Sequence, residues 1–483
     1  MKKTLLLLLF PLYLFAQPGS ESITSKISRV ENTLSPPVIY GDTIPHANIY
    51  DRMKATGTKA VSIAVIRNYK IEWAKAYGWA DEAEQRKATT ETRFQAASIS
   101  KSLNSLGVLK LAQQGKLDPE ADINTYLKSW KFPYDSLAHG KTISVNNLLS
   151  HTAGLGVHGF PGYKRGKQLP TALQVVKGES PVNTARVRSL FEPGKKMQYS
   201  GGGTTITQLV VTEITGRAYH EYMLDEVLKP LGMTNSSYQQ PPADTTKLAT
   251  GYYRNGKPVT GKFHVYPEQA AAGLWTTPTD LAKYIIECQL AYEGKSAKVL
   301  NQSWTRKRLT PYIDSNVALG VFIENRGGIR YFNHNGGNEA FLCTSYGSLK
   351  DGYGVVIMIN GDDFSVIGEL LNSVAQVYDW KDFYKPPFKK IVTPAKDSLA
   401  RYVGDYLVMK DTISLQFCGD DICLRQNGQP SGGYKAIFSS NINFEIGEVP
   451  GAFFRVLFNA EGKAEALELK QGGNTLKLER ITK

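Results

Sequence analysis

Apolar and polar positions change rhythm several times along this chain. Residues 60–66, AVSIAVI, form a β-rich run, Asn68 to Lys70 a turn, and Ile71 to Tyr77 a second run, which together predict an antiparallel hairpin. From Ser98 to Gln114, Leu103, Leu106, Leu109 and Leu111 return at helical spacing, and Gly115 closes the run as a C-cap glycine does. Further helices are predicted over 144–150, 204–215, 219–228 and 279–292. Strand-like runs return at 331–347 and 353–360, followed by a helical run from Val366 to Tyr378. Strands at both ends with helices between them predict an α+β domain whose outer segments share one sheet, not an alternating β/α fold.

The flanks read differently. Residues 17–44 are polar, with Ser, Thr and Pro, and read as a loose leader to a domain over 45–382. The Pro- and Lys-rich YKPPFKK, 384–390, marks a linker over 383–394. Beyond it, over 395–483, Ile413, Leu415 and Phe417, then Leu467 and Leu469, then Leu476 and Leu478 alternate with polar residues between Gly-rich turns. That pattern predicts a small all-β domain, a barrel or curled sheet. At the other end, Lys2 and Lys3 precede the apolar run Leu5 to Leu9, and Ala16 offers a small residue before Gln17. Residues 1–16 therefore read as a secretory signal peptide, too short to span a bilayer comfortably, and predict export to the periplasm or medium. No cysteine follows it to carry a lipid anchor, so no stable membrane attachment is expected.

Composition narrows the classes. In 483 residues, 42% hydrophobic and 21% charged, the chain is globular and long enough for two or three domains. The net charge of +13, or +11 without Lys2 and Lys3, would suit anionic partners such as cell-wall polymers, although a solvated basic surface is the simpler reading. The basic residues are scattered and the chain is read as exported, which argues against nucleic acid. Neither the seven histidines nor the four cysteines show metal-site spacing, so no metal and no cofactor are expected. Cys418 and Cys423 flank GDDI in a hairpin-like segment, where an oxidising compartment would allow a disulfide; the sequence leaves open whether that pair or Cys288 and Cys343 are joined.

Candidate chemistry centres on FQAASISKSL, residues 94–103. Ser98 and Lys101 form an S-x-x-K sequence at a helix start, and positions i and i+3 share a face, so one pocket can hold both. Ser100 lies roughly 200° further around the helix, and Ser102 has no lysine three residues on. A serine in the first turn also gains from helix N–H groups that favour a developing anion. Taken alone, an N-cap serine followed by a solvated lysine explains the same residues.

Five further stretches occur in order: LLSHTAGL (148–155), FEPGKKMQYSGGG (191–203), LKPLGMTNSSY (228–238), AAGLWTTPTDLAKY (271–284) and HNGGNEAF (334–341). With S-x-x-K they closely resemble the serine β-lactamase-like family of class C β-lactamases, DD-peptidases, D-aminopeptidases and esterases, over roughly 45–380. The resemblance implies an antiparallel sheet with helices on both faces and an all-helical lobe, and a lipocalin-like C-terminal module. It also implies roles. Ser98 would be the acylated nucleophile and Lys101 its proton-shifting neighbour. Tyr199, in the YSG that matches the family's Y-x-N element, would be the general base, its pKa lowered from ~10 by the adjacent ammonium. His334-Asn335-Gly336 would match the K-T-G or H-x-G strand, with the backbone N–H groups of Ser98 and Gly337 as oxyanion hole. His151 reads as part of a structural corner, and Ser144 as a helix N-cap.

Two departures blur specificity. Gly201 stands where the family often carries an asparagine for the substrate amide, which predicts a roomier, less polar pocket. His334 replaces a lysine, and near its ~6.5 pKa would carry charge only part of the time. The expectation is an exported serine hydrolase acting on a D-amino-acid peptide, small ester or β-lactam. The alternative is a non-catalytic binding or sensing protein, which Gly201 keeps open.

Overall fold

A computed structural model describes residues 21–408, 411–426, 433–447, 451–471 and 474–481; the expected signal peptide lies outside them. The first helix, α1 (Ile23–Asn32), leads to a seven-stranded sheet. Its strands are β1 (Ala60–Arg67), β2 (Lys70–Asp81), β3 (Arg86–Lys87), β4 (Phe322–Arg326), β5 (Ile329–Asn338), β6 (Phe341–Ser348) and β7 (Gly354–Ile359), in the order β3-β2-β1-β7-β6-β5-β4. Every pairing between neighbours is antiparallel. The expected hairpin is β1–β2, and β7 pairs with β1 from Gly354↔Ile66 to Ile359↔Val61, closing the two ends of the domain into one sheet.

The sheet is buried on both faces because β1 and β7 are apolar at odd and even positions alike. Ala60, Ala64, Ile66, Val356 and Met358 enter the core shared with the helical lobe. Val61, Ile63, Val65, Val355 and Ile357 enter a second core with α5 (Ser365–Val377) and α1. The remaining main helices are α2 (Ser100–Gln113), α3 (Gly201–Thr215) and α4 (Pro278–Tyr292). All but two residues of α2, Lys110 and Gln113, are buried. Such a helix belongs in a domain centre and carries no solvent-facing stripe.

Residues 21–44 are not a loose leader. Ile23, Ile27, Val30 and Leu34 recur at helical spacing, and Val30 and Leu34 are fully buried against the core that α5 caps. Ser373 Oγ donates to Val30 O at 2.8 Å, and Ile39–Tyr40 pairs in parallel with Phe388–Lys389 in the stretch expected to be a linker. The segment is ordered because it supplies the apolar cover that α5 and the sheet lack on that side.

The C-terminal strands are β8 (Gly404–Val408), β9 (Asp411–Cys418), β10 (Asp421–Gln426), β11 (Tyr434–Phe438), β12 (Asn443–Ile446), β13 (Phe453–Phe458), β14 (Ala464–Gln471) and β15 (Asn474–Glu479). They pair in sequence order, and a bridge between Tyr406 and Arg480 brings the last strand back to the first, so the sheet is a nearly closed barrel with its own core. Cys418 and Cys423 are disulfide-bonded across the β9–β10 hairpin, while Cys288 and Cys343 are free and buried.

Candidate active site

The site forms where the N-terminal end of α2 meets the outer end of β5. A tight turn over Ala97–Ile99 enters α2, and Ala97 adopts φ 45°, an uncommon conformation for a side-chain-bearing residue. Ser98 on this turn is half-buried and Lys101 fully buried. Lys101 Nζ donates to Ser98 Oγ at 3.1 Å and to Ala271 O at 2.7 Å. Ser100 Oγ turns away and accepts from Leu274 N at 3.1 Å, so it braces the helix start. Burial pushes the Lys101 ammonium down to about 7.

Tyr199 packs over this pair, with Lys101 Nζ 5.1 Å from its ring centroid. Its pKa runs opposite to the expectation. Burial raises the phenol above its ordinary range, and a polar contact with the Ser98 hydroxyl offsets only part of this. At neutral pH Tyr199 is a phenol. Of the two candidate bases, Lys101 alone titrates near neutrality.

His151 holds the tyrosine. Its ring lies 4.2 Å from the Tyr199 ring, and its Nδ1 accepts from Ser200 N at 3.2 Å. The corner reading of LLSHTAGL matches this geometry, as His151 itself sits at φ 58°. Ser200 then caps α3, accepting from Gly203 N at 2.9 Å and donating to Gly156 O at 2.6 Å. Ser144 caps its own short helix through a capping box.

The departure at Gly201 has a packing cause. A Cβ there would stand 2.8 Å from the Phe160 ring and 3.1 Å from His158 O. The pocket is therefore not roomier at this position, because Phe160 fills the space an asparagine would take. The His158 ring, two residues before Phe160, lies 4.9 Å from the Tyr199 ring as well.

His334 is also not the part-time cation expected of it. Burial, and then the nearby Lys101, hold its pKa at about 3, so it is neutral across the physiological range. Its Nδ1 lies 2.6 Å from Asn335 O. A carbonyl only accepts, so Nδ1 carries the hydrogen and Nε2 is left as a buried acceptor with no protein partner among the described residues. Phe322 at the start of β4 meets this ring edge-on at 5.2 Å.

The β4–β5 pairing runs from Ile329↔Arg326 to Asn333↔Phe322 and ends there, so the His334–Asn338 end of β5 has no strand among the described residues on its outer edge. Gly336 lets that end lie on the serine turn: a Cβ there would be 2.4 Å from Ala96 O and 2.5 Å from Cys343 Sγ. Gly337 is exposed, and Asn338 Nδ2 ties the strand end to Gln95 Oε1 at 2.7 Å and Ala272 O at 3.1 Å. Ser98, Lys101, Tyr199, Gly201, His334, Gly336 and Gly337 thus converge from three separate stretches. Sequence reasoning did not single out the Ala271 carbonyl, Phe160, His158 or Phe322; AAGLWTT marked the first only as a landmark.

The profile of the Beta-lactamase family matches residues 46–375. This chain belongs to that family. It is 27% identical over 314 residues to Protein flp of Staphylococcus aureus, covering 62% of this chain and 59% of that relative. The octameric penicillin-binding protein homologue from Pyrococcus abyssi superposes with TM-score 0.62 at 18% identity, covering 89% of this chain and 97% of that one. D-amino acid amidase from Ochrobactrum anthropi superposes with TM-score 0.56 at 20% identity, covering 68% and 96%. At these identities the two structures share the fold with this chain.

Proposed function

We propose that this protein hydrolyses an ester or amide through an acyl-enzyme on Ser98. The observation that carries the reading is the 3.1 Å contact between Ser98 Oγ and a buried Lys101 whose pKa burial lowers to about 7. Neutral Lys101 takes the Ser98 proton as Oγ attacks the substrate carbonyl carbon. The developing oxyanion would be held by the backbone N–H groups of Ser98 and Gly337. The Lys101 proton then passes, directly or through the Tyr199 hydroxyl, to the departing nitrogen or oxygen as the carbon–heteroatom bond breaks. Water, deprotonated by the same neutral lysine, cleaves the acyl ester and returns the proton to Ser98.

His334 shapes the substrate class. A substrate carboxylate at this strand would meet a bare nitrogen lone pair instead of a cation, which disfavours β-lactams and peptides with a free carboxylate there. Uncharged esters and D-amino-acid amides fit better. The fold shared with a D-amino acid amidase agrees with that choice. Gly201 does not support the non-catalytic alternative, since Phe160 packing accounts for it. Export through residues 1–16 remains part of the proposal, supported by the Cys418–Cys423 disulfide.

A fluorophosphonate probe and p-nitrophenyl butyrate test the reading on wild type and Ser98→Ala. One label on Ser98, with ester turnover lost in Ser98→Ala, is expected. Labelling that persists in Ser98→Ala, or a label without turnover of any ester or amide, contradicts it.

A further inference from the structure

Positive charge is not evenly scattered along the chain: it is concentrated in the stretch that ends at Tyr199. Residues 151–200 hold eight lysines and arginines against two acids, so this short stretch supplies +6 of the net +13. Its two acids are already matched, Glu179 by Lys177 and Glu192 by Lys141. Arg186, Arg188, Lys195 and Lys196 are exposed, and none of them forms an ion pair among the described residues.

The backbone sets two of these cations in one row. From Arg186 to Leu190 exposed and buried residues alternate, as along an extended segment, with Val187 and Ser189 inward. Val187 N donates to Val176 O at 3.0 Å, Gly156 N to Arg188 O at 3.0 Å and Leu190 N to Gly154 O at 2.8 Å, which pins the segment. Arg186, Arg188 and Leu190 therefore stand outward together, and Leu190 is 43% exposed. Lys195 and Lys196 follow directly after Gly194.

A second aliphatic side chain meets this row. Ile313 is 53% exposed, and its Cδ1 lies 3.8 Å from where a Cβ on Gly194 would stand. Asp314 N donates to Tyr312 O at 2.8 Å, closing a tight turn with Ile313 at its tip at φ 64°. That conformation is an outlier for a β-branched residue, and such strain collects at segments a function uses. The acids nearby are engaged by their own neighbours: Asp314 accepts from Asn316 N at 2.8 Å, and Glu120 from the Tyr312 hydroxyl at 3.0 Å. Unpaired cations around exposed aliphatic side chains match a surface that offers negative charge and apolar depth together. Both stretches lead into the active site, one to Tyr199 and the other to Phe322, whose ring meets those of Tyr199 and His334.

We propose that Arg186, Arg188, Leu190, Lys195, Lys196 and Ile313 form a docking face for an anionic lipid surface. The cations lie against the headgroups and the two aliphatic side chains enter between them. No helix among the described residues is long and apolar enough to cross a membrane, so the attachment is peripheral, reversible and weakened by salt. The inference goes beyond the hydrolase reading and does not depend on turnover. A soluble polyanion would use the cations and leave Leu190 and Ile313 in water.

Co-sedimentation of the processed chain, beginning at Gln17, tests this with two kinds of vesicle. One is phosphatidylcholine alone, the other an equal mixture with phosphatidylglycerol. At ~0.1 M salt the mixed vesicles should bind at least about a hundredfold tighter. Arg186→Gln with Arg188→Gln should weaken that binding about thirtyfold, at about fivefold per cation. Leu190→Ser with Ile313→Ser should weaken it at least about fivefold and leave any affinity for dextran sulfate unchanged. Lys470→Gln with Lys477→Gln, on the barrel, is the control for charge alone and should change little. Every replaced side chain is exposed, and melting curves matched to wild type confirm the fold. Equal binding to the two vesicles, or an arginine pair that matters no more than the barrel pair, overturns the proposal. An aliphatic pair without effect on vesicle binding overturns it in favour of a soluble polyanion.

Discussion

Replacing Gly336 by alanine should separate two catalytic elements that touch through a glycine. The added Cβ would lie 2.4 Å from Ala96 O and 2.5 Å from Cys343 Sγ. Carbon and its neighbours rest near ~3.5 Å, so strand β5 or the serine turn must give by about 1 Å. Neither moves freely: β5 is paired with β6 from Tyr331↔Ser348 to Asn338↔Phe341, and the Cys343 thiol itself donates to Ala96 O at 3.2 Å. Overpacking of this kind costs about 1–3 kcal/mol of stability. A misplacement of ~1 Å between nucleophile and oxyanion donors can slow acylation by about a hundredfold. Gly337→Ala is the control, since its Cβ meets only the flexible Leu342 Cδ2, at 3.3 Å. That variant keeps its N–H and should lose less than about threefold, the range of a tolerated surface change. Fluorophosphonate labelling rates and thermal melts on both variants decide the matter. A Gly336→Ala protein that labels and melts like wild type would refute the reasoning, as would equal losses in the two variants.

Restoring the family asparagine by Gly201→Asn should destabilise the protein by about 1–3 kcal/mol, because the side chain must displace Phe160. The loss should shrink in a Phe160→Ala background, with melting curves as the measure, and a Gly201→Asn protein as stable as wild type would sink the packing explanation. Deleting residues 21–40 should remove at least about 4 kcal/mol in chemical denaturation, since Val30, Leu34 and Ile39 are fully buried and each contributes ~1.5–3 kcal/mol. An unchanged midpoint would mean that α1 is dispensable.

How much of this was legible in the sequence depended on whether the signal was local. Ser98 and Lys101 declared themselves through i, i+3 spacing, and the buried leucines of α2 through their own period. The barrel strands followed from alternation, although two of the alternating apolar residues, Phe417 and Leu476, are 37% and 39% exposed. Helix α1 was missed because Ser, Lys, Arg and Glu fill the positions between its three apolar residues, and their composition resembles a leader. The Tyr199 and His334 protonation states were misjudged for a different reason. Both are set by burial under side chains distant in the chain, Phe322 and His151 among them, and no spacing records that. The Gly201 pocket was misjudged likewise, since the ring that fills it comes from a loop 41 residues earlier. The Ala271 carbonyl is backbone and carries no side-chain signature.

The rate of Ser98 labelling by a fluorophosphonate against pH, from about 5 to about 9, tests the role of Lys101. Burial lowers its pKa from 10.5 to about 7, and the neutral amine is the competent form. It is scarce at the acid end and predominant at the alkaline end. Labelling should therefore rise through about 7 and level off, in wild type and also in Glu268→Gln, whose own buried acid would otherwise titrate in the same range. A rate that is flat across this interval, or a rise that disappears in Glu268→Gln, would contradict Lys101 as the base that activates Ser98.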